Sequence, residues 1–384
     1  MNKMKLSNYS TFDQTTPAWL ITDDTTSHIV LSSRVRYARN LSGFPFPNKA
    51  TNSELASILD IVNMVFKDGT GIPEFFNPIE YIAFDKISPL QAEFLVERHL
   101  ISPDFIHGLK LNAKPQSPNS NLNTGRAVFI NEDENVSLMV NEEDHLRFQV
   151  LSAGYDFTNG LKMLNALDDG LELILRYANS PQYGFLTSCP SNVGTGLRAS
   201  VLIHLPGLVL TKEIEKVLRA IWQIGYNVRG FFGEGTETRG HFFQISNTVT
   251  LGQSETEIVE GIEKITNQLI GYEEKARDYM LKNTRKELED KIYRAYAILS
   301  SARLIASQEA LNLLATVRLG VAMNIITKTS IQRINQLMLL IRPANLQVFY
   351  NQEMSALERD EKRASLIHSL LNENSISNQI LSPK

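Results

Sequence analysis

Alternation of apolar and polar residues is the first pattern along the chain, and it predicts strands. The run 28–43 (HIVLSSRVRYARNLSG) predicts a strand that ends in a turn. Two shorter runs, RAVFI and VSLMV, predict a pair of strands joined by the turn NEDEN. In the run 141–154, the polar residues His145, Arg147 and Gln149 alternate with apolar residues. This last strand should therefore have two unlike faces.

Apolar residues with helical spacing occur between these predicted strands and then along the rest of the chain. A helix is predicted over 52–68, behind a cap signal at Asn52 and Ser53, and another over SPLQAEFLVERHL, opening at its Ser-Pro pair. The Asn-, Pro- and Ser-rich stretch 112–125 predicts a loop. After residue 254 nearly all of the spacing is helical. The pattern predicts an α+β domain followed by a separate all-α domain.

Composition narrows the class of protein. The 384 residues are 43% hydrophobic and 21% charged, which is ordinary for a globular protein of two or three domains. The net charge of −4 gives no bulk reason to bind nucleic acid or an anionic membrane, so any anion site must be local. One cysteine, no signal-peptide pattern and no apolar run of about 20 residues predict a cytoplasmic protein without a membrane span.

Five arginines of the predicted α+β domain lie on predicted strands or beside strand ends and glycine turns. Arg34 and Arg36 are two residues apart and share one face of the predicted strand, while Arg147, Arg198 and Arg229 lie beside strand ends or glycine turns. Any one of them could be solvated surface charge. Together they favour a phosphate site, because guanidinium groups bind phosphate oxygens bidentately. No GxxxxGK[ST] motif is present, so a P-loop is excluded.

Carboxylates lie next to these arginines. NEEDH supplies Glu142, Glu143 and Asp144, and GEGTE supplies Glu234 and Glu237. Each run could be a solvated turn. Acids adjacent to arginines also fit a site that holds a cation and an anion together, as a guanidinium substrate and a triphosphate would require.

The only cysteine, Cys189, lies in the stretch SCPSNVGTGLRAS. One interpretation is a small buried hydrophobe beside a tight turn. The other is a reactive thiolate at the edge of a phosphate site, where nearby arginines would lower its pKa. Gly194 and Gly196 would let the backbone turn closely around a phosphate group.

Four motifs in this order, SSRVR, NEEDHLR, CPSNVGTGLRAS and VRGFFGEGTE, resemble those of the ATP:guanido phosphotransferases, which include creatine and arginine kinases. The resemblance covers residues 25–255 and implies a phosphagen-kinase-like antiparallel sheet flanked by helices. Val193 stands where leucine is usual, and Ser191 where many members have threonine. Both exchanges keep the character of the side chain.

Two further features resemble the bacterial protein-arginine kinases within that family. Only 31 residues precede Ser32, and a long helical region follows residue 255. In that region RDEKRA matches the RDxxRA motif of the phosphoarginine-binding pocket of these kinases. The resemblance implies an N-terminal segment (1–24), a catalytic domain (25–255) and a helical domain (256–384).

Residue roles are carried over from the resemblance alone. Glu143, Glu234, Cys189 and Arg198 would be catalytic, with the two glutamates gripping the substrate guanidinium. Phosphoarginine would be bound by Arg359, Asp360, Arg363 and Ala364. ATP would be bound by a larger set, namely Ser32, Ser33, Arg34, Val35, Arg36, His99, Arg147, Arg198, Ala199, Ser200, Val201, Leu202, Arg229, Gly230, Phe231, Phe232, Gly233 and Glu234.

The expected activity is transfer of the γ-phosphate of ATP, with Mg²⁺, to arginine side chains of proteins. The resemblance also implies a homodimer and three kinds of partner: a zinc-binding activator protein, a stress-response repressor and a Clp-type ATPase or protease. Two alternatives stay open at this point. One is a kinase of a free guanidino metabolite, and the other is a non-catalytic adaptor that binds phosphoarginine.

Overall fold

The chain is organised around one eight-stranded antiparallel sheet with the strand order β2-β3-β4-β5-β1-β8-β10-β9. The computed structural model describes residues 16–21, 28–76, 79–85, 87–107, 125–230 and 240–372. The strands in these ranges are β1 (Val30–Arg39), β2 (Ile79–Ala83), β3 (Ala127–Asn131), β4 (Val136–Val140), β5 (Leu146–Ala153), β6 (Asn179–Ser180), β7 (Gly184–Phe185), β8 (Leu197–His204), β9 (Tyr226–Gly230) and β10 (Phe242–Asn247). Strands β6 and β7 form a separate small hairpin.

Helices flank the sheet and make up the C-terminal region. In the described ranges they are α1 (Asn52–Asp68), α2 (Pro89–Glu97), α3 (Pro103–His107), α4 (Phe157–Glu172), α5 (Pro206–Leu210), α6 (Ile214–Gln223), α7 (Glu255–Asn283), α8 (Arg285–Ser301), α9 (Ser307–Ala322), α10 (Ile331–Leu340), α11 (Pro343–Phe349) and α12 (Ala356–Asn372). The α+β class and the change to helices near residue 255 are confirmed.

Local sequence sets the helix starts. Ser88 caps α2 through a capping box with Gln91, as the Ser-Pro signal predicts. The cap of α1 is Thr51, whose side chain accepts the backbone N–H of Glu54, so the predicted cap at Asn52 and Ser53 is wrong by one residue. Asn52 and Ser53 begin the helix itself, because a hydroxyl at position 51 meets the N–H three residues later.

The two faces of the sheet differ in chemistry. On one face, inward-pointing residues of the central strands pack with α1, α4 and α7 into the largest core, to which Val35 and Tyr37 of β1 belong. On the other face, β1 presents Arg34 and Arg36, whose side chains are half-buried. Successive side chains of a strand point to opposite faces, so the apolar residues and the arginines of β1 lie on different faces of the sheet.

Two smaller cores cover only parts of the second face. The C-terminal helices pack on Leu31, Leu151, Leu202 and Phe242 near one end of the strands. Helix α2 packs on β2, β3 and β4 at the side. Between these two cores, the centre of this face is a polar depression, called the hollow below, whose lining includes Ser32, Arg34 and Ser200.

Helix α7 spans the expected boundary between the regions. It begins at Glu255, and its N-terminal half contributes Ile258 and Ile262 to the core of the sheet. Met280, near its C-terminal end, belongs to the core of the C-terminal helices. The division at residue 255/256 stays a prediction, since one continuous helix packs into both cores.

Buried polar contacts also join the regions. Arg318 of α9 is fully buried and donates to the side chain of Asn335 at 2.8 Å and to the carbonyl oxygen of His28 at 3.1 Å. Its guanidinium lies 2.9 Å from Nδ1 of His204 at the end of β8. Burial, and then the charge of Arg318, lowers the pKa of His204 well below its ordinary value, so the ring accepts in its neutral form.

No helix among the described residues is long and apolar enough to span a membrane. The predicted loop 112–125 lies outside the described residues except for Gly125.

The close approach of α4 to the turn after α1 generates a stability prediction. A methyl group at Gly170 would lie 1.8 Å from the carbonyl oxygen of Gly71, so the backbones would have to separate. We expect Gly170→Ala to lower the free energy of unfolding by about 1–3 kcal/mol. The matched exchange Gly271→Ala in α7 meets no atom within 4 Å and should raise it by about 0.4–1 kcal/mol. Urea denaturation measures both, and equal effects would contradict the close contact.

Candidate active site

Arginines from four strands meet on the polar face of the sheet. Arg36 lies directly opposite Arg198 in the register of β1 and β8. Arg34 precedes Arg36 by two residues, and Arg147 of β5 lies opposite Ala38, so all four side chains leave the same face. The exposed Arg229 of β9 completes this arginine cluster. The structure therefore brings the five arginines together on one face, and their role in binding phosphate stays a prediction.

The positive charges of the cluster act on one another. Burial, together with the charges of Arg198 and Arg147, lowers the pKa of Arg34 to about 10. Burial and the same kind of repulsion lower the pKa of Arg36 well below its ordinary value. The Nε of Arg36 is buried without a hydrogen-bond partner in the described part of the chain. Half-buried, mutually repelling guanidinium groups are suited to an anion that bears several charges.

The hollow changes character along β1. Beyond Arg34 it is lined by Ser32, Ser200 and Leu202, and by His99 from the segment after α2. A second small cavity adjoins it at His99 and is lined by mostly apolar residues, among them Trp19 and Met338. The arginine end therefore suits phosphate groups, and the end toward His99 carries less charge.

The acidic loop between β4 and β5 lies at the arginine end. The buried Glu142 pairs with Arg147 and accepts from the hydroxyl of Ser102 at 2.5 Å. Glu143, with 44% of its side chain exposed, accepts from Arg147 at 2.6 Å. Burial lowers the pKa of Arg147, but Glu142, Glu143 and Asp144 together raise it above its ordinary value. Glu143 is the member of the loop that a substrate could reach.

Cys189 lies in a second loop beside the cluster. Its Sγ is 3.0 Å from the hydroxyl oxygen of Ser191, and the residue is half-buried outside the three cores. Burial, followed by the charges of Arg229 and Arg147, lowers the pKa of Arg198, whereas Cys189 and Glu143 oppose this lowering. The thiol and the carboxylate are therefore both close enough to Arg198 to act on its charge.

Asp144 ties the two loops together. Its Oδ1 accepts from the backbone N–H of Ser188 and from the side-chain amide of Asn40, both at 2.7 Å. The Asn40 oxygen in turn accepts from the backbone N–H of His145 at 2.9 Å. His145, expected on the open face with Arg147, is instead fully buried, and its ring nitrogens bond to backbone groups of Leu41 and Pro45.

Arg39 supports the glycine turn from beneath. It is fully buried, pairs with Asp168 at 2.5 Å and donates to the carbonyl oxygen of Thr195 at 2.8 Å. Gly196 has a φ of +67°, and a side chain there would lie 2.6 Å from Arg39. Arg39 and Asn40 were not among the predicted site residues, and Asp144 was predicted only as one of three adjacent acids, without its link to the Cys189 loop. The only signal for Arg39 was its position, three residues after Arg36 and so on the opposite face.

Not every expected ATP-binding residue reaches the hollow. The side chains of Val35, Ala199 and Val201 belong to the core on the opposite face. The Ser33 hydroxyl accepts the backbone N–H of Asp156 on that same side. Gly230 ends β9 near Arg229. Phe231, Phe232, Gly233, Glu234 and Glu237 lie outside the described residues.

The RDEKRA motif lies on α12. Arg363 and Ala364 are buried, and Arg363 donates to the carbonyl oxygens of Ile341 and Ile305, both at 2.8 Å. Asp360 pairs with Arg363 at 2.5 Å and keeps 33% of its side chain exposed. Arg359 donates to the backbone of Met354. A ligand would therefore meet Arg359 and Asp360 first, and the binding role of all four stays a prediction.

A metal ion would find few protein ligands here. Among the described residues, no three His, Cys, Asp or Glu side chains are grouped closely enough to bind one. Glu142 and Glu143 are the carboxylates beside the cluster, and both already pair with Arg147.

Both regions of the chain are similar to known proteins. A family model of the ATP:guanido phosphotransferase C-terminal catalytic domain matches residues 60–276, and one of the protein-arginine kinase McsB C-terminal domain matches 285–380. The protein-arginine kinase of Pelotomaculum thermopropionicum is 42% identical over 349 residues, covering 91% of this chain and 94% of that one. That of Moorella thermoacetica is 41% identical over 356 residues, covering 92% and 97%. The crystal structure of a lombricine kinase aligns with a TM-score of 0.53 at 25% identity, over 68% of this chain and 71% of that one.

The antiparallel sheet is that of the catalytic domain of an ATP:guanido phosphotransferase. The resemblance drawn from the four motifs is thereby confirmed. Because the similarity to curated relatives continues through the C-terminal helices, the chain belongs to the protein-arginine kinase family within that class.

The repulsion within the cluster predicts opposite effects on stability and on anion binding. Arg36→Met should raise the free energy of unfolding of the free protein by about 1 kcal/mol, because it removes a half-buried like charge and an unpaired Nε. The same change should weaken tripolyphosphate binding roughly thirtyfold, the loss expected for one charge-assisted contact of about 2 kcal/mol.

The matched control is Arg219→Met on α6, where the side chain is exposed and pairs with Glu215. It should leave both quantities nearly unchanged. Urea denaturation and calorimetric titration provide the measurements. A destabilised Arg36→Met protein with unaltered anion affinity would contradict the assignment of the cluster.

Proposed function

We propose that the chain transfers the γ-phosphate of ATP to arginine side chains of proteins. The observation that carries the proposal is the meeting of the arginine cluster with the two loops that bear Glu143 and Cys189. One part suits a polyphosphate and the other suits a guanidinium, and the two lie side by side. The curated relatives are named for this reaction.

The phosphate side of the reaction uses fixed positive charge. Arg34, Arg36 and Arg198 would bind phosphate oxygens bidentately and offset the charge that develops on the transferring group. Their strands are held by the core on the opposite face, so little reorganisation is needed when the anion binds. In-line transfer breaks the bond between the γ-phosphorus and the bridging oxygen of ADP.

The arginine that accepts the phosphate must lose a proton from its guanidinium group, which is a very weak acid. Arginine has a pKa of about 12.5–13.8 and arrives as a delocalised cation. The exposed carboxylate of Glu143 would orient that cation by hydrogen bonds, and a carboxylate would take the proton as the nitrogen–phosphorus bond forms. Of the two glutamates, the family motif favours Glu234 as the base, and Glu234 lies outside the described residues.

Mg²⁺ is proposed as the companion of ATP. It commonly keeps water and phosphate oxygens as ligands, so it needs few carboxylates from the protein. When bound, it would offset part of the phosphate charge.

A protein substrate is favoured over a free guanidine by the exposure of Glu143 and Arg229 at the edge of the hollow. An arginine on a protein surface needs an open approach. The further features implied by the family resemblance are proposed on that basis alone: phosphoarginine binding near Asp360, a homodimer, a zinc-binding activator, a stress-response repressor and a Clp-type protease.

Transfer can be tested with radiolabelled ATP, Mg²⁺ and an unfolded protein that contains arginine. We expect labelled protein whose phosphate is lost in acid, because a phosphorus–nitrogen bond is acid-labile. Glu143→Gln should slow transfer about a hundredfold or more, the usual contribution of a positioned acid–base group. The exposed Glu132→Gln in the β3–β4 turn is the control and should retain full activity.

Two results would contradict the proposal. One is label that is stable in acid, and the other is free arginine turned over as fast as the protein substrate, which would indicate a metabolite kinase.

Cys189 provides a separate prediction. Cys189→Ser should slow transfer roughly tenfold without abolishing it, because the thiol helps to orient the guanidinium rather than forming a covalent intermediate. Since Cys189 is the only cysteine, alkylation should inactivate the natural protein and leave the residual activity of Cys189→Ser unaffected. Complete loss in the serine variant would indicate a covalent role.

A further inference from the structure

Glu97, the last residue of α2, caps a helix that begins 246 residues later in the chain. Its side chain is buried with 2% exposure. Its carboxylate oxygens accept the backbone N–H of Ala344 at 3.1 Å and that of Asn345 at 2.8 Å. These are the first free N–H groups of α11, whose own N-cap, Arg342, makes no side-chain cap. A glutamate of the catalytic region thus supplies the cap of a helix in the C-terminal region.

The neighbouring residue strengthens this junction. Arg98 is buried, pairs with Glu134 at 2.6 Å and donates to the side-chain oxygen of Asn345 at 3.2 Å. The amide nitrogen of Asn345 donates to Glu97 at 2.8 Å. Both residues that precede His99 are therefore fastened to the start of α11.

His99 itself has a backbone that must be held in place. Its φ is +62°, in the left-handed region, which is unfavourable for a residue other than glycine. Its carbonyl oxygen accepts from the side-chain amide of Gln149 at 2.5 Å, and its ring lies edge-on to Trp19 with centroids 5.5 Å apart. The sheet therefore holds His99 from one side, and α11 holds it through Glu97 and Arg98 from the other.

The ring of His99 lies where the hollow changes from charged to apolar. It lines both the cavity over Ser32 and Leu202 and the adjoining cavity with Trp19 and Met338. The arginine cluster lies at the other end, around Arg36 and Arg198. With the phosphates of a nucleotide in the cluster, a base that extends along β1 would lie toward His99.

We propose that Glu97 is a positioning residue for the nucleotide: by capping α11 it fixes His99 at the base end of the hollow, so that docking of the C-terminal helices sets the affinity for the base. This inference rests on the proposed function, because it takes ATP as the ligand of the hollow. It goes further in assigning part of the nucleotide affinity to a region outside the catalytic sheet.

The test compares ATP with tripolyphosphate, which has the phosphates but no base, by calorimetric titration of the full chain. In Glu97→Gln the side chain keeps its size but presents an N–H group to backbone donors, so the cap of α11 is weakened. The dissociation constant for ATP should rise about tenfold, and that for tripolyphosphate should change less than about twofold. In the kinase assay, KM for ATP should rise while kcat changes little.

Glu273 is the matched control. It too is a buried glutamate that caps a short helix from a distance, since it accepts the N–H groups of Gly207 at 2.8 Å and Leu208 at 3.0 Å at the start of α5. Glu273→Gln should destabilise the fold to a similar extent and leave both dissociation constants unchanged. If Glu97→Gln fails to fold, Asn345→Ala removes contacts to Glu97 and Arg98 while keeping the backbone N–H groups of α11, and should show the same selective loss for ATP.

Each result decides between the possibilities. Equal weakening of ATP and tripolyphosphate, no weakening of either, or the same selective loss in Glu273→Gln would overturn the role of Glu97. If the natural chain fails to bind ATP at all, the proposed function falls as well. Binding of ATP by the natural chain with an unchanged Glu97→Gln affinity would overturn this inference alone.

Discussion

Guanidinium groups repel one another on one face of the sheet, and apolar packing on the other face holds their strands together. Arg36 and Arg198 lie directly opposite each other, an arrangement that is destabilising between neighbouring strands. It persists because the same strands bury Val35, Tyr37 and Val201 on their other face. Alternate residues of β1 and β8 point to opposite faces, so one set packs in the core and the other set carries the positive charge. An anion placed between these groups would offset their repulsion, which is why the cluster is proposed to bind a polyphosphate.

Sequence patterns were sufficient for the features that depend on local spacing. The alternation of apolar and polar residues predicts β1 and β5 correctly. It also predicts that Arg34 and Arg36 share one face of β1, as they do in the structure. The pattern misled at His145, which continues the alternation of Arg147 but lies in the turn before β5 and is buried. Periodicity describes a strand, and it stops being informative one residue beyond the end of that strand.

Supporting contacts could not be predicted, because they join residues far apart in sequence. Asp144 holds the Cys189 loop through the N–H of Ser188, and in the sequence it is only one more acid beside Glu143. Likewise Arg39 is one more arginine after Arg36, yet it pairs with Asp168, 129 residues away. In both contacts the partners are too far apart in the sequence for a local pattern to reveal them. Both become visible only when burial shows that the charge must have a partner.

The direction of β1 gives the active site its polarity. From Arg36 toward Ser32 the neighbours across the sheet change from Arg198 to Leu202, so positive charge gives way to apolar surface along one strand. A chain with a net charge of −4 can therefore bind a polyanion without an overall positive field. The attraction is confined to a partly buried region, where salt screens charges less than it does at the surface. In the proposed site, selectivity for a nucleotide over inorganic polyphosphate would depend on the less charged end, where the sheet meets the C-terminal helices.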